Sequence, residues 1–314
     1  MIVDGREPGR PHVREVICVG SAKQDCLVRI GHQLSEDERV VTDRIVTAAG
    51  GNANTAAATV ARMGVRVAIC TTIGNDAAGN FVLAKMRECG VGTEYVSRRG
   101  DLETPQSINI ANSDSNTRSI ITVRALPFET AEAFSASPSW FHFDAEGFKA
   151  SQRMINLKRL AGRVSVDAGI SIGTDDLRGI DLYAPTREAL IHTFGGPLGK
   201  AMLAAREAGA GDVVVTLGEG GAAFLEGDQV VRIPAHQVEV VSTLGAGDVF
   251  HGALVASLTR EHSLASAVHT ASVCAALSCR ALDGQSAIPD METLMSEVTR
   301  SRRVIEPNSR EIFN

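Results

Sequence analysis

Aromatic side chains are scarce in this chain, with 10 Phe, 2 Tyr and 1 Trp among 314 residues. A nucleobase site wants aromatic faces for stacking, so the scarcity leans against nucleoside recognition. An excess of positive charge is missing too. With 31 Lys and Arg against 37 Asp and Glu, the formal charge of −6 creates no field to gather nucleic acid or anionic lipid. Any phosphate must then be bound locally, by backbone amides. The six cysteines (Cys18, Cys26, Cys70, Cys89, Cys274, Cys279) contain no C-x-x-C pair. They read as small buried hydrophobes in a reducing compartment, which argues against a disulfide framework or a zinc site. No apolar run approaches a membrane span, and Met1 to Arg14 lacks the apolar centre of a signal peptide. A cytoplasmic protein with a loose extension over residues 1–14 is expected. No G-x-G-x-x-G follows the first strand-like run, which disfavours a nicotinamide dehydrogenase.

What is present is alternation. The β-branched runs Glu15–Val19, Val65–Ile73, Trp140–Asp144, Arg163–Asp167, Ile180–Ala184 and Asp212–Leu217 are separated by amphipathic stretches. This pattern predicts a mostly parallel sheet between helices, with ligands bound beyond the carboxyl ends of the strands. Two stretches break the rhythm. Cys26–Ile30 with Arg39–Thr47, and Ser107–Ala111 with Arg118–Val123, look like antiparallel pairs, the second around Asn112 to Asn116. They could form a small sheet over the crevice that excludes water, or two plain surface hairpins. After Gly211 the sequence predicts a strand, a hairpin around Glu226-Gly227-Asp228, a strand through Val238–Val241, and helices from Gly247 onward. No repeat, low-complexity tract or linker divides the chain, so one domain over 15–314 is expected, its lid formed by about 25–48 and 104–124.

The chemistry concentrates in Val240-Val241-Ser242-Thr243-Leu244-Gly245-Ala246-Gly247-Asp248. A strand gives way to small residues and then to a helix, so the amides of Gly245, Ala246 and Gly247 can converge on an anion with the helix dipole behind them. Glycine permits that close approach. Asp248, in the first turn, could take the proton from a substrate hydroxyl as a phosphoryl group arrives, or could simply cap the helix. A second Gly-rich turn, Gly50-Gly51-Asn52-Ala53-Asn54-Thr55, opens an alanine-rich helix whose small residues also suit close packing.

These motifs, in this order, resemble the ribokinase-like (phosphofructokinase B) carbohydrate kinase family over nearly the whole chain after residue 14. Gly20 to Asp25 looks like the first-strand turn, Gly50-Gly51 through Gly64 like the amino-terminal signature, and Gly245 to Asp248 like the carboxy-terminal one. Ile73 to Gly79, Cys89-Gly90-Val91, the turn Thr216-Leu217-Gly218-Glu219-Gly220-Gly221 and Ala287-Ile288-Pro289 complete the match.

The resemblance implies a three-layer α/β core with a β lid, ATP bound with Mg²⁺, Asp248 as base, and an anion hole at Gly245, Ala246 and Gly247. It implies a sugar held by Asp25, Gly50, Gly51, Asn52, Asn54 and Thr55, and a nucleotide along Thr216, Gly218, Gly221 and Gly247. Ser272 either faces the adenine or packs in its helix. The resemblance also implies Glu188 acting on the metal through water, and a homodimer formed through the lid. The chain departs from the family at Ser242, usually an Asp that helps hold a monovalent cation, at Pro185, usually an Asn, and at Thr55, often an Asn in ribokinases. Arg124 and His251 read as a strand-end charge and a packed histidine. A sugar kinase is expected, the alternatives being a nucleoside kinase and a non-catalytic sugar-binding regulator.

Overall fold

The computed structural model describes residues 15–115, 117–124, 126, 132–152, 157–170, 172, 175–302 and 310–311. The expected extension over 1–14, and Asn116 in the lid turn, lie outside the described residues.

Short runs of buried β-branched and aromatic residues become the strands of one large sheet. In chain order its members include β1 (Val16–Val19), β4 (Val67–Gly74), β5 (Gly92–Arg99), β8 (Trp140–Phe143), β9 (Arg163–Ala168), β10 (Leu182–Pro185) and β11 (Asp212–Thr216). These seven pair in parallel. The hairpin β12 (Ala222–Glu226) and β13 (Gln229–Ile233) extends the sheet antiparallel, and β14 (Arg310–Glu311) adds a last strand. A second, four-stranded sheet consists of β2 (Lys23–Ile30), β3 (Ile45–Gly50), β6 (Gln106–Asn112) and β7 (Thr117–Thr122), in the order β3-β2-β6-β7.

Alternation along the strands sorts side chains into two cores. Val16 and Cys18 face a core shared with α1 (Asn52–Arg62), α2 (Ala77–Glu88), α6 (Ala246–Thr259), α7 (Leu264–Ser278) and α8 (Met291–Arg302). Ile17 and Val19 face the other, built with α3 (Ala145–Gln152), α4 (Arg187–Phe194) and α5 (Leu198–Glu207). Strand β1 lies between β4 and β8, so the chain leaves it in one direction for β4 and β5 and returns on its other flank with β8. That reversal opens a crevice at the carboxyl ends of β1 and β8, where ligands bind in open α/β sheets.

The two pairs of lid segments join into a single sheet because β2 and β6 run parallel, Asp25 opposite Ser107 and Leu27 opposite Asn109. Three boundaries differ from expectation. Pairing of β2 with β3 begins only at Val28 and Ile45, so Arg39–Arg44 is loop, with Val41 86% exposed. Val238–Val241 is not a strand, since the amides of Val241 and Ser242 both donate to the Cys279 carbonyl (2.8 and 3.1 Å) at the end of α7. The chain also does not end in helices, because β14 returns to the sheet beyond β13. Edge strand β5 has no counterpart among the runs recognised in the sequence, as its alternating polar residues give it no apolar run. Four of the cysteines are buried as expected, whereas Cys89, past the end of α2, is exposed, and all six are free thiols. Among the described residues no helix is long and apolar enough to cross a membrane.

Helix α6 packs against α1 through Gly252, where a Cβ would stand 2.5 Å from the Ala56 carbonyl oxygen and 2.8 Å from Thr59 Cβ. Backbone cannot yield as a flexible side chain does. Gly252→Ala should therefore lower stability by about 1–3 kcal/mol despite alanine's better helix propensity. A urea midpoint unchanged or raised in that variant would show that the two helices can move apart freely.

Candidate active site

The crevice is organised around a carboxylate outside both Gly-rich signatures. Asp144, directly after β8 and 2% exposed, accepts from the Ser21 amide (2.7 Å), Ser21 Oγ (2.8 Å), the Ala53 amide (3.3 Å) and the Gly147 amide (2.7 Å). It thus joins the turn after β1 to the starts of α1 and α3. Gly20 lies against it at φ 154°, where a Cβ would stand 2.2 Å from its carboxyl group. Burial pushes the Asp144 carboxyl up, and the hydrogen bonds from Gly147 and Ser21 oppose that rise.

The same turn sets the start of α1. Gly51 caps the helix at φ 97°, and a Cβ there would collide with the Ser21 carbonyl. Asn52 and Asn54 donate their amides to Ser21 Oγ (3.1 Å) and the Ser21 carbonyl (3.2 Å). The Asn54 side chain is buried and donates to the Gly50 carbonyl (3.2 Å), so it braces the turn. Asn52 turns the other way, its Nδ2 donating to Asp248 Oδ1 at 2.8 Å. Thr55 is buried and accepts from Gln285 Nε2 (3.3 Å).

On the lid side, Asp25 is buried and accepts from Ser107 Oγ (2.5 Å), which accepts in turn from Asn109 Nδ2 (2.8 Å). A Cβ on Gly50 would overlap the Asp25 carboxylate, 1.9 Å from Oδ2, so glycine is required where β3 passes beneath it. Burial raises the Asp25 carboxyl, and Ser107 and the Lys23 charge act against that. Arg118 of β7 reaches the opposite wall, donating to Thr243 Oγ1 (2.5 Å). Arg124, the lid arginine singled out in the sequence, is exposed beyond β7.

Opposite stands the start of α6. Gly245 is its N-cap in the left-handed region (φ 74°), without a capping side chain, and a Cβ there would press on Gly284 Cα at 2.8 Å. A Cβ on Gly247 would meet open space. The helix therefore begins one residue earlier than expected and offers its first turn to the crevice. Asp248 is pushed up to about 7, first by burial and then by the negative charge of Asp167, with Asp144 adding to it. The His251 charge and the Asn52 hydrogen bond pull the other way. His251 is buried three residues along α6, its Nδ1 2.9 Å from Asp167 Oδ2. That is ion-pair distance without hydrogen-bond alignment, since neither ring nitrogen has a hydrogen-bond partner among the described residues.

A second group of residues lies along the same strand ends. Thr216, closing β11, bridges to Thr186, whose Oγ1 donates to the Gly169 carbonyl (3.3 Å) and caps α4. Gly218 (φ 59°) faces open space, whereas Gly221 (φ 88°) is held against Ile233 and Ala235, 2.1 Å from where a Cβ would meet the Ile233 carbonyl oxygen. Beside that crossing a cavity of about 350 Å³ is lined by His236, His269, Val273, Arg280, Glu297 and Ser301, among others. Ser272 is buried next to Val273, its Oγ without a partner among the described residues, and does not line the cavity. Glu188 is exposed on the first turn of α4. Among the described residues no group of three or more His, Cys, Asp or Glu could hold a metal ion.

Asp144, Asp167, Ser107 and Asn109 carry no signature of their own in the sequence. The one available signal was that Asp144 and Asp167 are acidic residues at the ends of otherwise apolar runs.

The family model described as pfkB family carbohydrate kinase matches residues 13–140 and 177–291. The chain is similar to ribokinase of Mus musculus, 26% identical over 90% of this chain and 95% of that protein. Its fold is like that of Arabidopsis thaliana ribokinase, solved with ribose and ATP (TM-score 0.77, 22% identity, 91% of this chain and 99% of that one). It is also like Salmonella enterica aminoimidazole riboside kinase, solved with aminoimidazole riboside and an ATP analogue (TM-score 0.71, 21% identity, 90% and 99%).

The raised Asp248 carboxyl has a consequence for stability. Its ordinary value is 3.8 and its folded value about 7, so the folded state binds the extra proton between these limits. Stability contributed by this group is therefore present at low pH and lost as pH rises through that window. Asp248→Asn should raise the urea midpoint over the wild type at pH 8, and much less at pH 4. A difference independent of pH would contradict the shift.

Proposed function

The chain belongs to the pfkB family of carbohydrate kinases, and from that premise we propose that it phosphorylates a hydroxyl of a small sugar or sugar derivative with Asp248 as general base. The observation that carries this reading is the Asn52–Asp248 hydrogen bond. It joins the Gly50-Gly51 turn, beneath Asp25, to the first turn of α6, so the polyol-binding side of the crevice and the base share one wall. A carboxylate such as Asp25, already oriented by Ser107, can accept two hydrogen bonds from a diol. Gly50 and Gly51 let the backbone approach, and Asn52 sits between the sugar and the base, while Asn54 and Thr55 support the turn from within.

MgATP supplies the γ-phosphoryl group. The Thr216–Gly221 turn and the neighbouring cavity suit the nucleoside end, in line with the roles expected for Thr216 and Gly218, while Gly221 serves the backbone crossing and Ser272 lies behind the lining. The amides of Gly245, Ala246 and Gly247, backed by the α6 dipole, stabilise charge on the transferring group. With no cluster of protein ligands among the described residues, Mg²⁺ is to be held by phosphates and water, and Glu188 acts through water. Asp248 takes the hydroxyl proton as the phosphoryl group transfers in line. The four-stranded sheet closes over the crevice, and residues 15–314 act as one kinase domain. Asp248→Asn should lower kcat by about 10²–10⁴ with little change in ATP binding. Coupled ADP release with MgATP across pentoses, hexoses, ketoses, their acidic and amino derivatives and nucleosides tests this. Full activity in the variant would overturn the assignment of the base, and activity confined to nucleosides would overturn the sugar.

We also propose a homodimer through the lid. Ile45, Ile108 and Ile121 are opposite one another or in adjacent rows on its outer face and are 65%, 47% and 66% exposed, with Val123 beside them. An apolar patch of this kind on a sheet marks an association surface. Ile121→Lys should convert the dimer to monomer in light scattering, and a wild-type protein that is monomeric at tens of micromolar would refute the proposal.

A further inference from the structure

The face of the sheet beneath α6 is apolar except for one stripe. His142 on β8 and Ser165 and Asp167 on β9 all point toward α6, with His142 opposite Ser165 in register and its Nδ1 3.1 Å from Ser165 Oγ. His251 comes down from α6 onto this stripe, 2.9 Å from Asp167 Oδ2 and 6.1 Å, ring to ring, from His142. All four side chains are buried. Replacing such a pair with apolar residues of similar volume is often neutral or stabilising, so stability alone gives little reason for it. Its position is what stands out. His251 is one helical turn beyond Asp248 on the same face of α6, and three carboxylates, Asp144, Asp167 and Asp248, meet at this end of the sheet.

We propose that His251, held against Asp167 and one turn along α6 from Asp248, is a positioning residue that offsets the negative charge Asp167 brings to this end of the sheet. The proposal rests on the reading of Asp248 as the base. Without the imidazolium, Asp248 would face Asp144 and Asp167 with only the Asn52 amide to oppose them.

The surroundings support a single cation here. Burial and the His251 charge push His142 down to about 3, so it stays neutral. Asp167 is lowered by the His251 charge against the cost of burial, and His251 is raised by Asp167 against the same cost. From β1, burial and Asp144 raise Cys18 and keep it a neutral thiol. From α7 come Cys274, raised to about 12 by burial, and His269, which bonds Ser301 on α8. Helix α1 carries one charged side chain, Arg62, ten residues from Asn52 and so about 15 Å along the axis.

The test is an NMR titration of the full-length protein, following the His251 and His142 imidazoles and the Asp248 carboxyl carbon. His251 should be imidazolium at pH 7 while His142 is neutral. In His251→Gln the Asp248 midpoint should rise by roughly one pH unit, the scale of losing an opposite charge a few ångströms away. In the double variant Asp167→Asn, His251→Gln it should fall below the wild-type value, because the charge of Asp167, which acts more strongly on Asp248 than that of His251, is gone as well. The acid limb of kcat should move in the same order. A packing role alone would alter stability without this pattern. A neutral His251 at pH 7 overturns the proposal, and so does an unmoved Asp248 midpoint in His251→Gln. If His251→Gln does not fold, the wild type and the double variant decide, and a double variant that titrates above the wild type overturns it. The titration needs no turnover, so it can fail while the kinase reading stands, and the kinase reading can fail without deciding it.

Discussion

The crevice depends on one buried carboxylate. Asp144 gathers four donors from three elements that are far apart in the chain, and without it the turn after β1 and the first amides of α1 and α3 would be buried donors lacking an acceptor. Leaving a buried donor unsatisfied costs about 1–3 kcal/mol, so several at once would threaten the local fold. The glycines follow from this arrangement. Gly20 must lie against the carboxylate, and Gly51 must pass the Ser21 carbonyl, because no side chain fits in either place. The strand that carries Asp25 and the turn that presents Asn52 are thus aligned through Ser21.

Concentrating carboxylates at the ends of buried strands has an electrostatic cost, and the molecule meets it differently at each one. Asp144 is surrounded by backbone amides and a hydroxyl, Asp25 by Ser107 with Lys23 nearby, and Asp167 by His251 and the Gly169 amide (2.8 Å). Asp248 has the least support, with a single side-chain amide as hydrogen-bond partner among the described residues. A carboxylate with few donors is a stronger base than one saturated with them, which fits the role of general base proposed for Asp248. The lid adds polar closure from above. Arg118 crosses to Thr243, two residues before the Gly245 turn, and brings a guanidinium to the loop that leads into α6.

Much of this was legible along the chain. The alternation of β-branched and amphipathic runs identified six of the parallel strands, because each is largely buried on both faces and so mostly apolar. The two Gly-rich segments were visible because the geometry at Gly50, Gly51 and Gly245 excludes other residues. Strand β5 escaped notice since an edge strand alternates polar and apolar residues, and Val238–Val241 misled because β propensity says nothing of the partner, which here is the Cys279 carbonyl at the end of α7.

The sequence by itself determined the layers, the order of the Gly-rich turns and the presence of an acidic residue in the first turn of a helix, all of which are properties of short windows. Tertiary structure alone decided which polar groups meet. Asn52 and Asp248 are 196 residues apart, Ser21 and Asp144 are 123 apart, and Asp25 and Ser107 are 82 apart. No local pattern encodes such pairs, because they arise where β1 and β8 come side by side and the parallel register of β2 with β6 sets two side chains face to face. The same holds for His251, which in its helix is one more packed residue and against β9 stands 2.9 Å from Asp167.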